Sequence, residues 1–377
     1  MRIGINALYL IPGKVGGTEV YIRNLVKWLP KVDRENDYII FINKESIGVF
    51  DELVPKMKIV LCPVKATNRP LRILWEQFAL PVQMTYFNID VLLSAGMTCP
   101  FFSPATSVLV VHDLQHINQP QNFAWYYLPF LKTIIYLSAK TSDALIAVSG
   151  HVKEDIVKHY KIPPDRIFVT YIAVDGDIFF KQDKEDIEVV RQRYNLPERF
   201  IFYPASSLPH KNHKRLLEAF KTVKKEVRDI KLVLTGSRDY GYEVIEKNIK
   251  EFGLIDDVLF LGWLSHDDVP LIYNAASALI FPSLHEGFGM PVLEAMASGV
   301  PVVCSAIPPI KEVAGSAAIF VDPFDIGDIA RGILSVLTDH KLREELIEDG
   351  LERAGMFTWE KTALSTLSAI NSCIIKP

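Results

Sequence analysis

Short β-branched runs alternate with amphipathic helical stretches along this 377-residue chain. That alternation constrains the fold more than any other feature, because strands joined through helices lie parallel and are covered on both faces. In the first half the pattern predicts strands at Arg2–Ala7, Tyr38–Ile42, Lys58–Cys62, Asp90–Ser94, Ser107–His112, Ala144–Ser149 and Ile167–Tyr171. Between them, Thr18–Leu29 places Tyr21, Ile22, Leu25, Val26 and Leu29 on one helical face. The second half repeats the style at Phe200–Tyr203, Lys231–Thr235, Val258–Leu261, Ala278–Phe281, Val300–Cys304 and Ala318–Val321. Ser265 and Asp325, each followed three residues later by an acid, read as helix N-caps.

The rhythm breaks near Asp177–Glu198, where Lys181 to Asp186 is a polar run, and a new first strand opens at Phe200. A chain of this length exceeds what one core usually serves. The expected class is therefore α/β with two Rossmann-like domains facing a central cleft. Net charge is −4, from 41 basic and 45 acidic residues, so no global basic field points to nucleic acid. Cys62, Cys99, Cys304 and Cys373 lack metal-type spacing and read as ordinary thiols in a reducing compartment. The first residues start a strand without a signal peptide's apolar core, and no apolar run is long enough to span a bilayer. These features point to a soluble, cytoplasmic protein, with peripheral membrane contact left open.

Ligands in open α/β sheets bind beyond the carboxyl ends of strands, and the chemically suggestive residues cluster there. Glu286 and Glu294 are separated by seven residues holding the turn Gly287-Phe288-Gly289, then Met290 and Pro291. Pro291 suits the first position of a helix, so Glu286 falls on a loop and Glu294 in the helix that follows. A glycine turn feeding a helix N-terminus is an anion site, and flanking carboxylates suit sugar hydroxyls. Gly16 and Gly17 precede the first helix and permit close backbone approach; a plain turn is the alternative. They do not form the dinucleotide Gly-x-Gly-x-x-Gly pattern. His112 and Asp113 end a buried strand, where the histidine suits a sugar hydroxyl or a structural role. Asp113 suits a general base or an orienting group. Lys211, just before a helix in Ser207-Leu208-Pro209-His210-Lys211-Asn212, suits a diphosphate. Trp75 beside Glu76 suits a stacked saccharide, or equally a core residue beside a solvated one. Ala147-Val148-Ser149 and Thr235-Gly236-Ser237 fit cleft lining or helix caps equally well.

The segment Ser283–Ser305, with Glu286 and Glu294, resembles the signature of glycosyltransferase family four, retaining sugar transferases of the GT-B fold. The resemblance implies that Glu294 binds the donor ribose and Glu286 faces the transferred sugar. It also implies that amides of Gly287, Phe288, Gly289 and Met290 meet sugar and diphosphate. Gly16, Gly17 and Gly236 would line the donor, His112 would stand beside the donor sugar, and Lys211 would clamp the diphosphate. Many members carry an arginine four residues before that lysine; here the place is Ser207, so Lys211, backbone amides or His210 must do more. The Lys211-Asn212 pair and the Arg72–Gln77 segment resemble a subset of bacterial mannosyl- and rhamnosyltransferases, which makes Trp75, Glu76 and Asp113 candidates for the acceptor side.

The resemblance further implies an N-terminal acceptor-side domain at 1–178, completed by a helix at 358–377 that crosses back, and a donor domain at 179–357. The implied partners are a nucleotide-sugar donor, with GDP-mannose or a deoxyhexose nucleotide favoured, and a saccharide or lipid-linked acceptor. No tightly bound cofactor and no metal are expected. Two alternatives stay open: a nucleotide-sugar 2-epimerase of the same architecture, and a non-catalytic sugar-nucleotide-binding protein.

Overall fold

The computed structural model describes residues 1–51, 57–236 and 241–374. By its contacts the chain divides into two compact units, Met1–Ile172 with Thr358–Pro377, and Ala173–Phe357. In the first unit, β1 (Arg2–Asn6), β2 (Asp37–Ile42), β3 (Lys58–Leu61), β4 (Val91–Ser94), β5 (Thr106–Val111), β6 (Ala144–Ala147) and β7 (Ile167–Val169) form a wholly parallel sheet. Its strand order is β3-β2-β1-β4-β5-β6-β7. In the second, β8 (Phe200–Pro204), β9 (Lys231–Thr235), β10 (Val258–Phe260), β11 (Ala278–Phe281), β12 (Val302–Ser305) and β13 (Ile319–Val321) run in the order β10-β9-β8-β11-β12-β13, again parallel. Each unit is a Rossmann-like domain, as the alternation predicts.

The central strands are buried on both faces, including Val91–Leu93, Val108–Val111, Phe200–Tyr203 and Ala278–Phe281, which helices on both sides of a parallel sheet require. The helix Gly17–Val32 supplies part of that cover through fully buried Tyr21, Ile22, Leu25, Val26 and Leu29. Each is worth about 1.5–3 kcal/mol by the apolar area it removes from water. The C-terminal helix Trp359–Ile374 belongs to this first unit: it packs on Gly17–Val32, and its Thr362 hydroxyl donates to the Tyr171 carbonyl at 2.8 Å. Among the described residues, no helix is long and apolar enough to cross a membrane.

Several strands stop short of the lengths predicted from sequence. Ala7, Cys62, His112, Val148 and Ser149 all lie past the ladders and open the loops that carry candidate residues. Ser149 is a helix cap, its hydroxyl accepting the Val152 N–H at 3.2 Å. Asp325 caps the helix Ile326–Thr338 by accepting the Asp328 N–H at 3.0 Å. Ser265 accepts the Asp268 N–H at 3.2 Å, but this closes a turn, and regular helix starts only at Val269. The glycine-fed helix is Met290–Ala297, so Pro291 is its second residue rather than its first. The early turn is held open by Gly289 at φ 109°, and neither position owes an intrahelical N–H.

Candidate functional site

In an open parallel sheet the crevice for a ligand lies where the strand order reverses. In the second unit that point falls between β8 and β11, which are hydrogen-bonded neighbours although far apart in sequence. The loops leaving their carboxyl ends are Ala205–Asn212 and Pro282–Gly289. These are the two loops that hold Lys211 and Glu286, and the fold brings them together. Lys211 Nζ donates to Glu286 Oε1 at 2.6 Å, with both side chains largely but not wholly covered. The ammonium also stands 5.7 Å from the Phe281 ring centroid, on the side an aromatic quadrupole favours.

Asn212 fixes this pairing. It is buried in the left-handed conformation, φ 63°, a state its short polar side chain tolerates better than most. Its amide donates to the carbonyls of Pro282 at 3.0 Å and Pro323 at 2.7 Å, tying the β8 loop to those after β11 and β13. The Tyr203 hydroxyl donates to the Lys211 carbonyl, and the Leu284 N–H to the His210 carbonyl at 2.7 Å. The Lys211 backbone is thus held from below and from the side. We expect Asn212→Ala to destabilise the protein by about 2–4 kcal/mol, since two buried carbonyls lose their donor and alanine must take a left-handed φ. Chemical denaturation of the variant would read this directly; a loss no larger than a surface substitution would contradict it.

His210 does not supply the extra positive charge that Ser207 withholds. Burial, aided by neighbouring Lys211, His285 and His213, pushes its pKa down to about 3, so the ring is neutral. Burial and Lys211 hold His213 at about 3 as well. Ser207 itself is buried, and its carbonyl passes so close to Gly241 that a Cβ there would lie 2.2 Å away. Gly236, just past the end of β9, is crowded in the same way: at φ 132° its Cβ would lie 2.3 Å from the Ala205 carbonyl oxygen. These glycines let the β8 loop lie against the β9 end. Ser237 lies outside the described residues.

Glu294 occupies the second turn of Met290–Ala297, and some of its side chain still reaches the surface. Its carboxyl end is enclosed by protein, and that burial pushes its pKa up to about 7 despite the Tyr273 hydroxyl donating to Oε2 at 2.8 Å. Phe288 turns its ring inward against Phe357, centroids 6.0 Å apart. The peptide segment Gly287–Met290 is thereby anchored by a core side chain. Gly289 is required twice over, by its φ and because a Cβ would sit 2.4 Å from buried Ile310. A cavity of about 650 Å³ also opens in this unit, beside Ser207, Asn212, Arg215 and Asn248. Lys211, Glu286 and Glu294 do not line it, and the switch-point loops, where charge and carboxylates converge, are the better candidate.

In the first unit the corresponding reversal lies between β1 and β4. Gly16 caps the helix Gly17–Val32 at φ 56°, and a Cβ there would meet nothing within 4 Å, so backbone conformation rather than crowding calls for glycine. Buried Glu19 braces the preceding loop, accepting the Gly13 N–H at 2.7 Å and Arg23 Nε at 2.9 Å. His112 follows β5 and packs edge-on against Tyr21, centroids 5.0 Å apart. Burial lowers its pKa, so the ring is neutral; Nε2–H donates to the Ala95 carbonyl at 3.0 Å and leaves Nδ1 as an acceptor. Asp113 Oδ1 accepts the Gln115 N–H at 3.0 Å, orienting the loop. Glu76 is buried rather than solvated and pairs with Arg72 at 2.8 Å, while Arg72 also donates to Thr98 Oγ1 at 2.9 Å. Trp75, half-buried beside it, lies against the Cys62 thiol, which burial raises to about 11. Among the described residues, no cluster of His, Cys, Asp and Glu could hold a metal ion.

Sequence reasoning missed Tyr273 and Tyr203, whose hydroxyls donate to the Glu294 carboxyl and to the Lys211 carbonyl. Each sits in an apolar run and reads as core, and only the tertiary contact reveals its polar end.

Two family models match the chain. Residues 15–177 match that of Glycosyltransferase Family 4, and residues 185–353 that of Glycosyl transferases group 1. The chain is 31% identical to the O-antigen chain mannosyltransferase B of Escherichia coli over 70% of its own length and 69% of that protein. It is 30% identical to the serotype-specific mannosyltransferase WbdA of Escherichia coli over 69% of its length, but spans only 32% of that larger protein. Among solved structures, a sucrose-phosphate synthase from Thermosynechococcus elongatus superposes with a TM-score of 0.80 at 20% identity, covering 99% of both chains. Anabaena Alr3699/HepE in complex with UDP-glucose gives 0.78 at 20% identity, covering 99% of this chain and 100% of that one. At that identity the structures establish a shared fold.

Proposed function

This chain belongs to the family-four glycosyltransferases, and on that premise we propose that it moves a mannosyl group from GDP-mannose, with retention of anomeric configuration, to a hydroxyl of a saccharide or lipid-linked saccharide. The observation that carries the donor half is the Lys211–Glu286 pair at 2.6 Å across the switch point of the second unit. Mannose is supported by the mannosyltransferases to which the chain is similar, and a nucleotide sugar by the fold shared with a UDP-glucose complex.

The reaction breaks the bond between the sugar's anomeric carbon and the β-phosphate oxygen. It forms one between that carbon and the acceptor oxygen, and the acceptor's proton passes to a donor phosphate oxygen. Negative charge grows on the diphosphate as the bond breaks. Lys211 Nζ and the amides of Gly287–Met290 at the helix start are the groups that stabilise it. Glu286 orients the sugar hydroxyls. Glu294 accepts from the ribose hydroxyls, which need its carboxylate form. With a pKa of about 7 in the free protein, donor binding draws that carboxyl to its ionised form and releases a proton. Donor affinity therefore rises from pH 5 to about 7 and then levels off, as calorimetry in buffers of different ionisation enthalpy would report. No proton release at pH 6 would take Glu294 out of the donor site.

The activity is tested by incubating the protein with a panel of nucleotide sugars, with and without oligosaccharide acceptors, and following anomeric protons by NMR. Transfer from GDP-mannose with the α-anomer preserved is expected. A 2-epimer formed from the donor alone would mark an isomerase, and binding without transfer or hydrolysis would mark a non-catalytic protein; either overturns the proposal.

A further inference from the structure

The cavity of about 650 Å³ in the second unit lies outside the switch-point site, and the transfer chemistry does not use it. Its size is within the range of roughly 300–1,000 Å³ usual for small-molecule sites. Two helices begin at it. His213–Glu226 starts after Asn212 and Tyr242–Glu251 after Gly241, and both of those flanking residues line the cavity. Neither start receives a hydrogen bond from the side chain of its cap residue. The first N–H groups of each helix have no intrahelical partner, and each helix brings the positive end of its dipole.

The side chains carry the argument further. Lys214 and Arg215, from the first turn of His213–Glu226, place two cations on the lining. Arg215 gives one N–H to Asn212 Oδ1 at 3.1 Å and has others to offer. Glu243 is the single acid on the lining among the described residues. His213, also on the lining, is only 5% exposed; its ring is neutral, and Nε2 has no hydrogen-bond partner. Asn248 lines the same cavity at 7% exposure, and its side-chain amide makes no hydrogen bond among the described residues. Buried polar groups are nearly always paired. Two such groups on one cavity point to a bound molecule that supplies their partners.

The lining also indicates what kind of molecule. Open helix starts beside a lysine and an arginine suit a phosphate. A phosphate alone fills only part of the space. The remainder is walled by Leu208, Pro209, Val244 and Ile245, with the Asn248 amide, the His213 imidazole and the Glu243 carboxylate among them. Apolar walls with a few polar groups fit the C–H faces and hydroxyls of a sugar ring. Among the described residues no Phe, Tyr or Trp lines the cavity, which favours a sugar over a stacked nucleobase. We propose that this cavity binds a phosphorylated monosaccharide, with its phosphate at the start of His213–Glu226 and its hydroxyls toward Glu243 and Asn248. The site stands apart from the donor reading, because Glu286 and Glu294 do not line it.

Calorimetric titration of the full chain with mannose 6-phosphate tests this, with mannose and inorganic phosphate titrated alongside and no donor present. Mannose 6-phosphate binds saturably, at least about tenfold tighter than either of its parts. Lys214→Ala lowers that affinity about three- to tenfold, and Val244→Trp, which fills lining space, removes most of it. Thermal unfolding of both variants stays close to wild type, since Lys214 and Val244 are exposed. Glu294→Ala binds the sugar phosphate as wild type does. Equal affinity in wild type, Lys214→Ala and Val244→Trp, or binding no tighter than that of inorganic phosphate, would overturn the proposal. So would loss of binding in Glu294→Ala, which would put the sugar phosphate in the donor site.

Discussion

Replacing Lys211 by alanine lowers turnover by about 10²–10³-fold, the usual consequence of removing one well-placed group that stabilises developing negative charge. The size of the effect follows from how little else can replace it. Ser207 brings no charge, and His210 and His213 are held neutral with pKa values near 3. Arg215 donates to Asn212 at 3.1 Å and lies over the Phe324 ring, and Lys214 faces solvent beside Glu218. Lys211 alone among these combines a cationic tip at the switch point with a backbone clamped by Tyr203 and Asn212. Lys211→Arg should recover some of the loss, because the charge remains while its geometry changes. The alanine variant also leaves Glu286 without its partner, at a cost of about 1–3 kcal/mol in stability. Initial rates measured well below the melting temperature separate the two effects. Unchanged turnover in Lys211→Ala would remove this lysine from the reaction.

The second large effect has opposite signs for stability and function. Glu294→Gln is expected to weaken donor binding by about 10–100-fold, the worth of a hydrogen bond to a charged acceptor. The same change stabilises the free protein at pH 8. Unfolded, this carboxyl ionises near its ordinary 4.5; folded, burial holds it at about 7. The folded state therefore keeps a proton that the unfolded state has lost, and stability falls as pH rises through that window. Above it the cost is on the order of 3 kcal/mol, and glutamine does not pay it. Below pH 4 both side chains are neutral and the variants converge. Urea denaturation of the two proteins at pH 4 and pH 8 measures the difference. A gap that does not widen with pH would show that Glu294 is not held protonated by its surroundings.

Much of the scaffold was legible in the sequence because local pattern and global fold agree. The predicted strands at Lys231–Thr235 and Ala278–Phe281 coincide with those observed, and the Asp325 cap is present. The loop of Glu286 and the loop of Lys211 could be picked out because both end strands and both precede helices. Their pairing could not, since residues 75 apart meet only once β8 and β11 are neighbours. Protonation was equally hidden. His210 reads as a possible cation until its burial is known, and Glu294 as an ordinary carboxylate until Tyr273 and the surrounding core close over it. Glu76 is the contrary case: its spacing from Arg72 by one helical turn signalled an ion pair, yet the adjacent tryptophan drew attention to a saccharide instead.

Calorimetric titration of GDP-mannose into the wild-type protein and into Glu294→Ala and Lys211→Ala tests the central claim most directly, that the loops after β8 and β11 grip an activated sugar. Saturable binding to wild type, weakened at least about tenfold in each variant, is the predicted result. The same affinity in all three proteins would contradict it.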